Sequence, residues 1–115
     1  MTQPTFLGID VGTSSIKVVA VSPNGQPLVV ASAPMTVNVE HPGWSEQRPE
    51  DWWTGTCSAI KQALREIDTP EVLGVGLSGQ MHSLVALDDL KHVVRPAILW
   101  NDVRTSVEAE FVRNR

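Results

Sequence analysis

The sequence predicts a mixed α/β domain built around one sheet, and three observations carry that prediction. The chain opens with three apolar, β-branched runs joined by tight turns. A segment with apolar residues at steps of four and three follows, which is the helical period. A further apolar run, a polar loop and the start of another helical segment come after it.

Residues 5–10 are apolar and end in Asp10, a strand pattern. Val11-Gly12-Thr13-Ser14 is a tight turn, and β-branched residues 16–21 give a second strand, so the two form a hairpin. Ser22-Pro23-Asn24-Gly25 turns the chain again, because proline pre-sets one backbone angle and Asn or Gly supplies positive φ. Residues 28–35 give a third strand and complete an antiparallel meander. Residues 37–48 are irregular. A helix begins near Pro49, with Glu50 and Asp51 at its positive end. Trp53, Cys57, Ile60, Leu64 and Ile67 form its expected apolar face, which makes Cys57 buried and unreactive. Asp68-Thr69-Pro70 ends it. Residues 72–77 are the fourth strand, in which Gly74 and Gly76 suggest close approach of a neighbouring element. Residues 78–82 form a loop. Residues 83–87 and 91–95 read as a hairpin around Asp88-Asp89. Residues 97–100 are a short apolar segment, and 103–115 read as a helix.

Bulk properties narrow the function. The 115 residues are 42% apolar and 19% charged, a globular balance. The net charge of −4 and the lack of a basic run argue against nucleic acid or an anionic membrane as partner. No apolar run approaches a membrane span. A single cysteine excludes an internal disulfide, and the first residues lack a signal peptide's pattern. A reducing, cytoplasmic setting is the expectation.

Asp10-Val11-Gly12-Thr13-Ser14-Ser15-Ile16-Lys17 joins strand, glycine turn and strand. Glycine lets backbone approach a ligand closely, and successive N–H groups in such a turn can face phosphate oxygens, with the Thr13 and Ser14 hydroxyls adding donors. Asp10 places a carboxylate at the same strand end, an oxygen ligand of the kind magnesium takes. The pattern suits phosphoryl transfer, although an ordinary hairpin would read the same. It resembles the opening of the actin-like ATPase superfamily, which has the ribonuclease H-like fold. The resemblance implies that Asp10 serves the metal and the catalytic phosphate region. Gly12, Thr13 and Ser14 then contact ATP phosphates. Lys17 falls where related kinases carry a basic residue, and a solvent-facing strand lysine is the equal alternative.

Three later segments narrow the superfamily. Trp44-Ser45-Glu46-Gln47-Arg48-Pro49-Glu50-Asp51-Trp52-Trp53 resembles the segment before the first helix of the carbohydrate kinases that act on glycerol, xylulose, ribulose and gluconate. Gly76-Leu77-Ser78-Gly79-Gln80-Met81-His82 resembles the sugar-facing loop of the xylulose kinases. Ala97-Ile98-Leu99-Trp100-Asn101-Asp102-Val103-Arg104 is similar to their Trp-Asn-Asp-x-Arg segment. The likeness runs from Phe6 to the end. It implies a sugar site made by Gln80, Met81, His82, Trp100, Asn101 and Asp102. The chemistry agrees: Gln80 and His82 can donate and accept, Met81 is a deformable apolar contact, and Trp100 offers a flat face. Taken alone, His82 reads as a loop histidine and Met81 as core. Asp102 and Arg104 could simply pair with each other, and Trp44 and Glu46 are expected to organise their loop.

The resemblance further implies that residues 1–115 are the partial amino-terminal, sugar-binding-side domain of a two-domain kinase. Its cofactors are ATP and Mg2+, its small-molecule partner is a sugar, and a homodimer stays open. The general base and adenine site would lie beyond this sequence, so the fragment alone is expected to be inactive. D-xylulose is the first expected substrate, with gluconate, ribulose and glycerol as alternatives. An actin-like ATPase or an assembly module is the competing class. It would leave the Gln80-Met81-His82 and Trp100-Asn101-Asp102 segments without a use.

Overall fold

A computed structural model describes residues 1–115. The elements are β1 (Gln3–Val11), β2 (Ser15–Val21), β3 (Pro27–Pro34), β4 (Glu46–Gln47), α1 (Pro49–Arg65), β5 (Pro70–Gly79), β6 (Ala97–Ile98) and α2 (Ser106–Arg113). The chain divides into two compact units. One comprises residues 1–35 and 50–80, the other residues 36–49 and 81–115.

The first unit holds a four-stranded sheet in the order β3-β2-β1-β5. The expected meander is present: β1 pairs antiparallel with β2, and β2 with β3. β5 joins the other side of β1 in parallel, with Ile9 opposite Leu77 and Asp10 opposite Ser78. A parallel neighbour needs a crossover connection, and α1 lies within it. Strand alternation then sorts the side chains. Leu7, Ile9, Ile16, Val18, Ala20, Ala31 and Ala33 are buried in one core with Ala59, Ala63 and Ile67. Phe6, Asp10, Lys17 and Val30, on the opposite face, are exposed.

The apolar face of α1 differs from the expectation. Ala59 and Ala63 are buried, Ile60 and Leu64 pack partly against the core, and Trp53 is 73% exposed. Cys57 is a half-buried free thiol rather than a buried one. Closeness explains the shift. A Cβ on Gly55 would stand 2.8 Å from Ile16 Cδ1 and 3.2 Å from Met35 Sδ. The helix therefore approaches the sheet along its small residues, which leaves Trp53 and Cys57 off the contact line. Gly74 is likewise close-packed, since a Cβ there would meet the Phe6 ring at 3.2 Å.

The second unit has little regular structure. β4 and β6 form a two-stranded antiparallel pair with Glu46 opposite Ile98. Residues expected as a hairpin, 83–87 and 91–95, pair with each other at the single bridge Leu87–Val93, while Leu84 bridges Ile98. Asp88 organises that turn, its Oδ1 accepting the N–H groups of Leu90 and His92. α2 is shorter than the expected 103–115 helix and buries no residue, leaving Val107, Phe111 and Val112 exposed.

Candidate functional site

Two groups of the expected site residues emerge. The first lies in the sheet unit. Asp10 stands on the open face between Lys17 of β2 and Ser78 of β5, its register partners on either side. A depression of about 440 Å³ adjoins them, lined by Gly8, Asp10, Lys17, Val19, Val30, Gly76 and Ser78 among others. Gly8 and Gly76 are paired in the register, so no side chains fill the sheet surface there.

Beyond Asp10 the chain turns through Gly12, Thr13 and Ser14. The turn is closed by the Gly12 N–H donating to the Ser15 carbonyl at 3.1 Å. That amide is spent on the hairpin and is not one of the phosphate donors expected from the sequence. Gly12 is nonetheless required, since a Cβ would meet the Ser15 carbonyl oxygen at 2.8 Å. The Thr13 hydroxyl donates to Gln80 Oε1 at 3.1 Å, and the Gln80 N–H donates to the Val11 carbonyl at 3.0 Å. The parallel β1–β5 pairing thus ties the glycine turn to the start of the expected sugar loop. No cluster of three or more His, Cys, Asp or Glu side chains forms in the chain. Asp10 would therefore give magnesium one protein oxygen, with water and phosphate completing the shell, an arrangement magnesium commonly adopts. The glycine turn, which has no room for a Cβ, and the exposed Ser14 fit a nucleotide phosphate beside it.

The second group lies in the other unit. Met81 and His82 are both exposed, and His82 has φ of 63°. A non-glycine residue in the left-handed region costs energy, and such strain clusters at ligand sites. Ser83, which sequence reasoning passed over, carries a buried hydroxyl without a partner in the protein. Only its place after His82 could have pointed to it. Trp100 and Asn101 are exposed at the corners of a turn closed by the Asp102 N–H donating to the Leu99 carbonyl at 3.1 Å.

Asp102 differs from these neighbours. Its side chain is 2% exposed. Its Oδ2 accepts the Ser45 N–H at 2.7 Å and Arg104 Nη2 at 2.6 Å, while Oδ1 accepts the Arg104 N–H and Nε, each at 2.9 Å. The Arg104 side chain chiefly, then the Arg104 and Ser45 amides, hold the carboxyl well below the usual carboxylate range against the opposing effect of burial. Asp102 in turn raises the Arg104 guanidinium, with Glu46 assisting. Arg104 Nη1 reaches Glu46 Oε1 at 2.8 Å, Arg95 Nη2 reaches the same oxygen at 2.7 Å, and the guanidinium stacks 3.7 Å from the Trp44 ring centre. The edge of His41 meets the same indole at 4.5 Å between ring centres. Pairing of Asp102 with Arg104 is the alternative the sequence offered, whereas their joining to Glu46 and Arg95 was not legible in it.

Comparison with known proteins places these groups in context. The model of the FGGY family of carbohydrate kinases, N-terminal domain, matches residues 5–115. The xylulose kinase of Escherichia coli (strain K12) is 40% identical over 110 residues, which is 96% of this chain and 23% of the relative. The chain thus spans about a quarter of the length of that relative. Among solved structures, xylulose kinase from Rhodospirillum rubrum superposes with a TM-score of 0.91 at 29% identity, covering 96% of this chain and 23% of that one. Plasmodium falciparum glycerol kinase with ADP shares the fold, with a TM-score of 0.86 at 21% identity over 99% of this chain and 24% of its own.

Proposed function

The chain belongs to the FGGY family of carbohydrate kinases, and from that premise we propose that the full-length protein transfers the γ-phosphoryl group of ATP to a hydroxyl of a ketose, D-xylulose first among them. The observation that carries the reading is the loop Gln80-Met81-His82. It leaves a strand end beside Asp10 and exposes Met81 and His82 on a strained backbone. Met81 and Trp100 give apolar surface to the sugar's carbon face, and Gln80, His82 and Asn101 exchange hydrogen bonds with its hydroxyls. Asp102, bonded to Arg104 and to the Ser45 amide, supports the turn that carries Trp100 and Asn101.

Asp10 would hold magnesium beside the phosphates, with the turn of Gly12, Thr13 and Ser14 and the Lys17 ammonium available to those phosphates. The metal supplies neutralisation of the charge developing on the transferred group. The hydroxyl proton leaves to a base that the family resemblance puts beyond residue 115. Residues 1–115 alone therefore position neither reactant fully and turn over no sugar.

The test is sugar-dependent ADP release by the full-length protein across ketoses, polyols and sugar acids, with Asp10→Asn as the control. D-xylulose is expected to give the highest kcat/KM. Asp10→Asn should lose at least about 10²-fold in kcat at saturating ATP and magnesium, the scale of removing one group that stabilises transition-state charge. Absence of sugar-dependent turnover in the wild type would overturn the kinase reading, and a preferred polyol or sugar acid would overturn the ketose.

A further inference from the structure

Glu46 is a carboxylate with 7% of its side chain exposed, in a stretch where neither β4 nor β6 exceeds two residues. Burying a charge is costly unless partners compensate it, and truncating one partner strands the other. Here the compensation is complete in sign: two carboxylates, Glu46 and Asp102, face two guanidinium groups, Arg95 and Arg104. What this charge assembly holds is a turn. The Leu99 N–H donates to the Ser45 carbonyl at 2.9 Å, and the Ser45 N–H donates to Asp102 Oδ2 at 2.7 Å. Both ends of the turn that carries Trp100 and Asn101 are therefore fastened to one residue, Ser45. Glu46, next in the chain, grips the Arg104 guanidinium that orients Asp102.

We propose that Glu46, acting through Arg104 and Asp102, is a positioning residue that fixes the Trp100–Asn101 turn in the arrangement that receives the sugar. This rests on the sugar-kinase reading of that turn. Glu46 itself does not touch the sugar. Asp102 is likewise a positioning group, since both of its oxygens already accept bonds from Arg104 or Ser45. Arginine is needed at 104 because a planar fork can bond two carboxylates and stack on Trp44 at once, which an ammonium group cannot.

The experiment uses full-length protein in which every tryptophan is 5-fluorotryptophan, comparing wild type with Glu46→Gln and Arg104→Lys. Fluorine resonances are assigned by single Trp→Phe replacements. In both variants the Trp100 resonance is expected to shift while those of Trp52 and Trp53 stay in place. The KM for the sugar should rise about ten-fold, inside the up to ~10²-fold range for small misplacements, while the KM for ATP stays within about two-fold. A lowered melting temperature with an unmoved Trp100 resonance and an unchanged sugar KM would overturn the proposal and leave the network a structural support only. If wild-type protein phosphorylates no sugar, the kinase reading fails by itself. The fluorine spectrum then decides only whether Glu46 fixes the turn: a displaced Trp100 resonance keeps that part without the sugar, and an unmoved one overturns it too. If Glu46→Gln does not fold, the same outcomes are read from Arg104→Lys.

Discussion

Replacing Gly55 with alanine sets two opposing effects against each other, and the structure says which wins. Glycine inside a helix costs about 1 kcal/mol relative to alanine, so propensity alone makes Gly55→Ala stabilising. The added methyl, however, would stand 2.8 Å from Ile16 Cδ1 and 3.2 Å from Met35 Sδ. Carbon atoms prefer separations of about 3.5–4.0 Å. Met35 is half-buried and can move aside, but Ile16 is 0% exposed and is held by the core. Overpacking of this kind costs about 1–3 kcal/mol, so the net loss should be about 1 kcal/mol. Removing the obstructing atom tests the cause. Ile16→Val deletes Cδ1 and alone costs about 1 kcal/mol. Combined with Gly55→Ala, the new methyl occupies the vacated space and the helical gain remains. The double variant should then match wild type, a coupling of about 2 kcal/mol. Amide hydrogen exchange of the β2 segment in the full-length protein reads this locally, since those amides exchange only when the sheet opens. Gly55→Ala should speed exchange several-fold, and the double variant should restore it. Slower exchange in Gly55→Ala, or additive effects in the pair, would refute the close approach of α1 to the sheet.

Two further outcomes follow from the site. His82→Ala should raise the sugar KM about five-fold, the worth of roughly 1 kcal/mol for one hydrogen bond, and leave the ATP KM unchanged; steady-state kinetics of the full-length protein checks both. Asp102 has a folded-state pKa below its unfolded value, so its stabilisation is present above about pH 4 and is lost as pH falls further. Asp102→Asn should therefore lower the melting temperature at pH 7, and the gap from wild type should narrow as the pH drops from 4 towards 2 in thermal scans.

The meander and the start of α1 were legible because their signals are local: β-branched runs, a Pro-Asn-Gly turn, and proline followed by two acids. The face of α1 was legible in part: Ile60, Leu64 and Ile67 meet the core as expected, while Trp53 and Cys57 do not. The helix also meets the sheet along Gly55, Ala59 and Ala63, and closeness is a property of the facing surface rather than of the helix. β4 and β6 could not be read, since two residues have no periodicity and their pairing joins segments about fifty residues apart. The hairpin expected after Ser83 reduces to one bridge, although its turn at Asp88 was placed correctly. In the site, the exposure of Met81, His82, Trp100 and Asn101 is compatible with the expected roles. The Asp102–Arg104 pair was open to the sequence at two residues' spacing, but its joining to Glu46 and Arg95 was hidden, because charge pairing between distant segments leaves no pattern along a chain.

The division of the chain carries one more consequence. The one apolar core cluster belongs to the sheet unit, the other unit burying only Ala97 and Leu99 among its apolar residues. The chain leaves the sheet unit twice, after Met35 and after Gln80. The second excursion carries Met81, His82, Trp100 and Asn101, proposed to meet the sugar, and the first carries Glu46, proposed to position the last two. Both are fastened by charges and short pairings rather than by an extensive apolar interior. Ligand preference can therefore diverge by rewriting two surface excursions while the scaffold that carries Asp10 and the glycine turn is inherited unchanged.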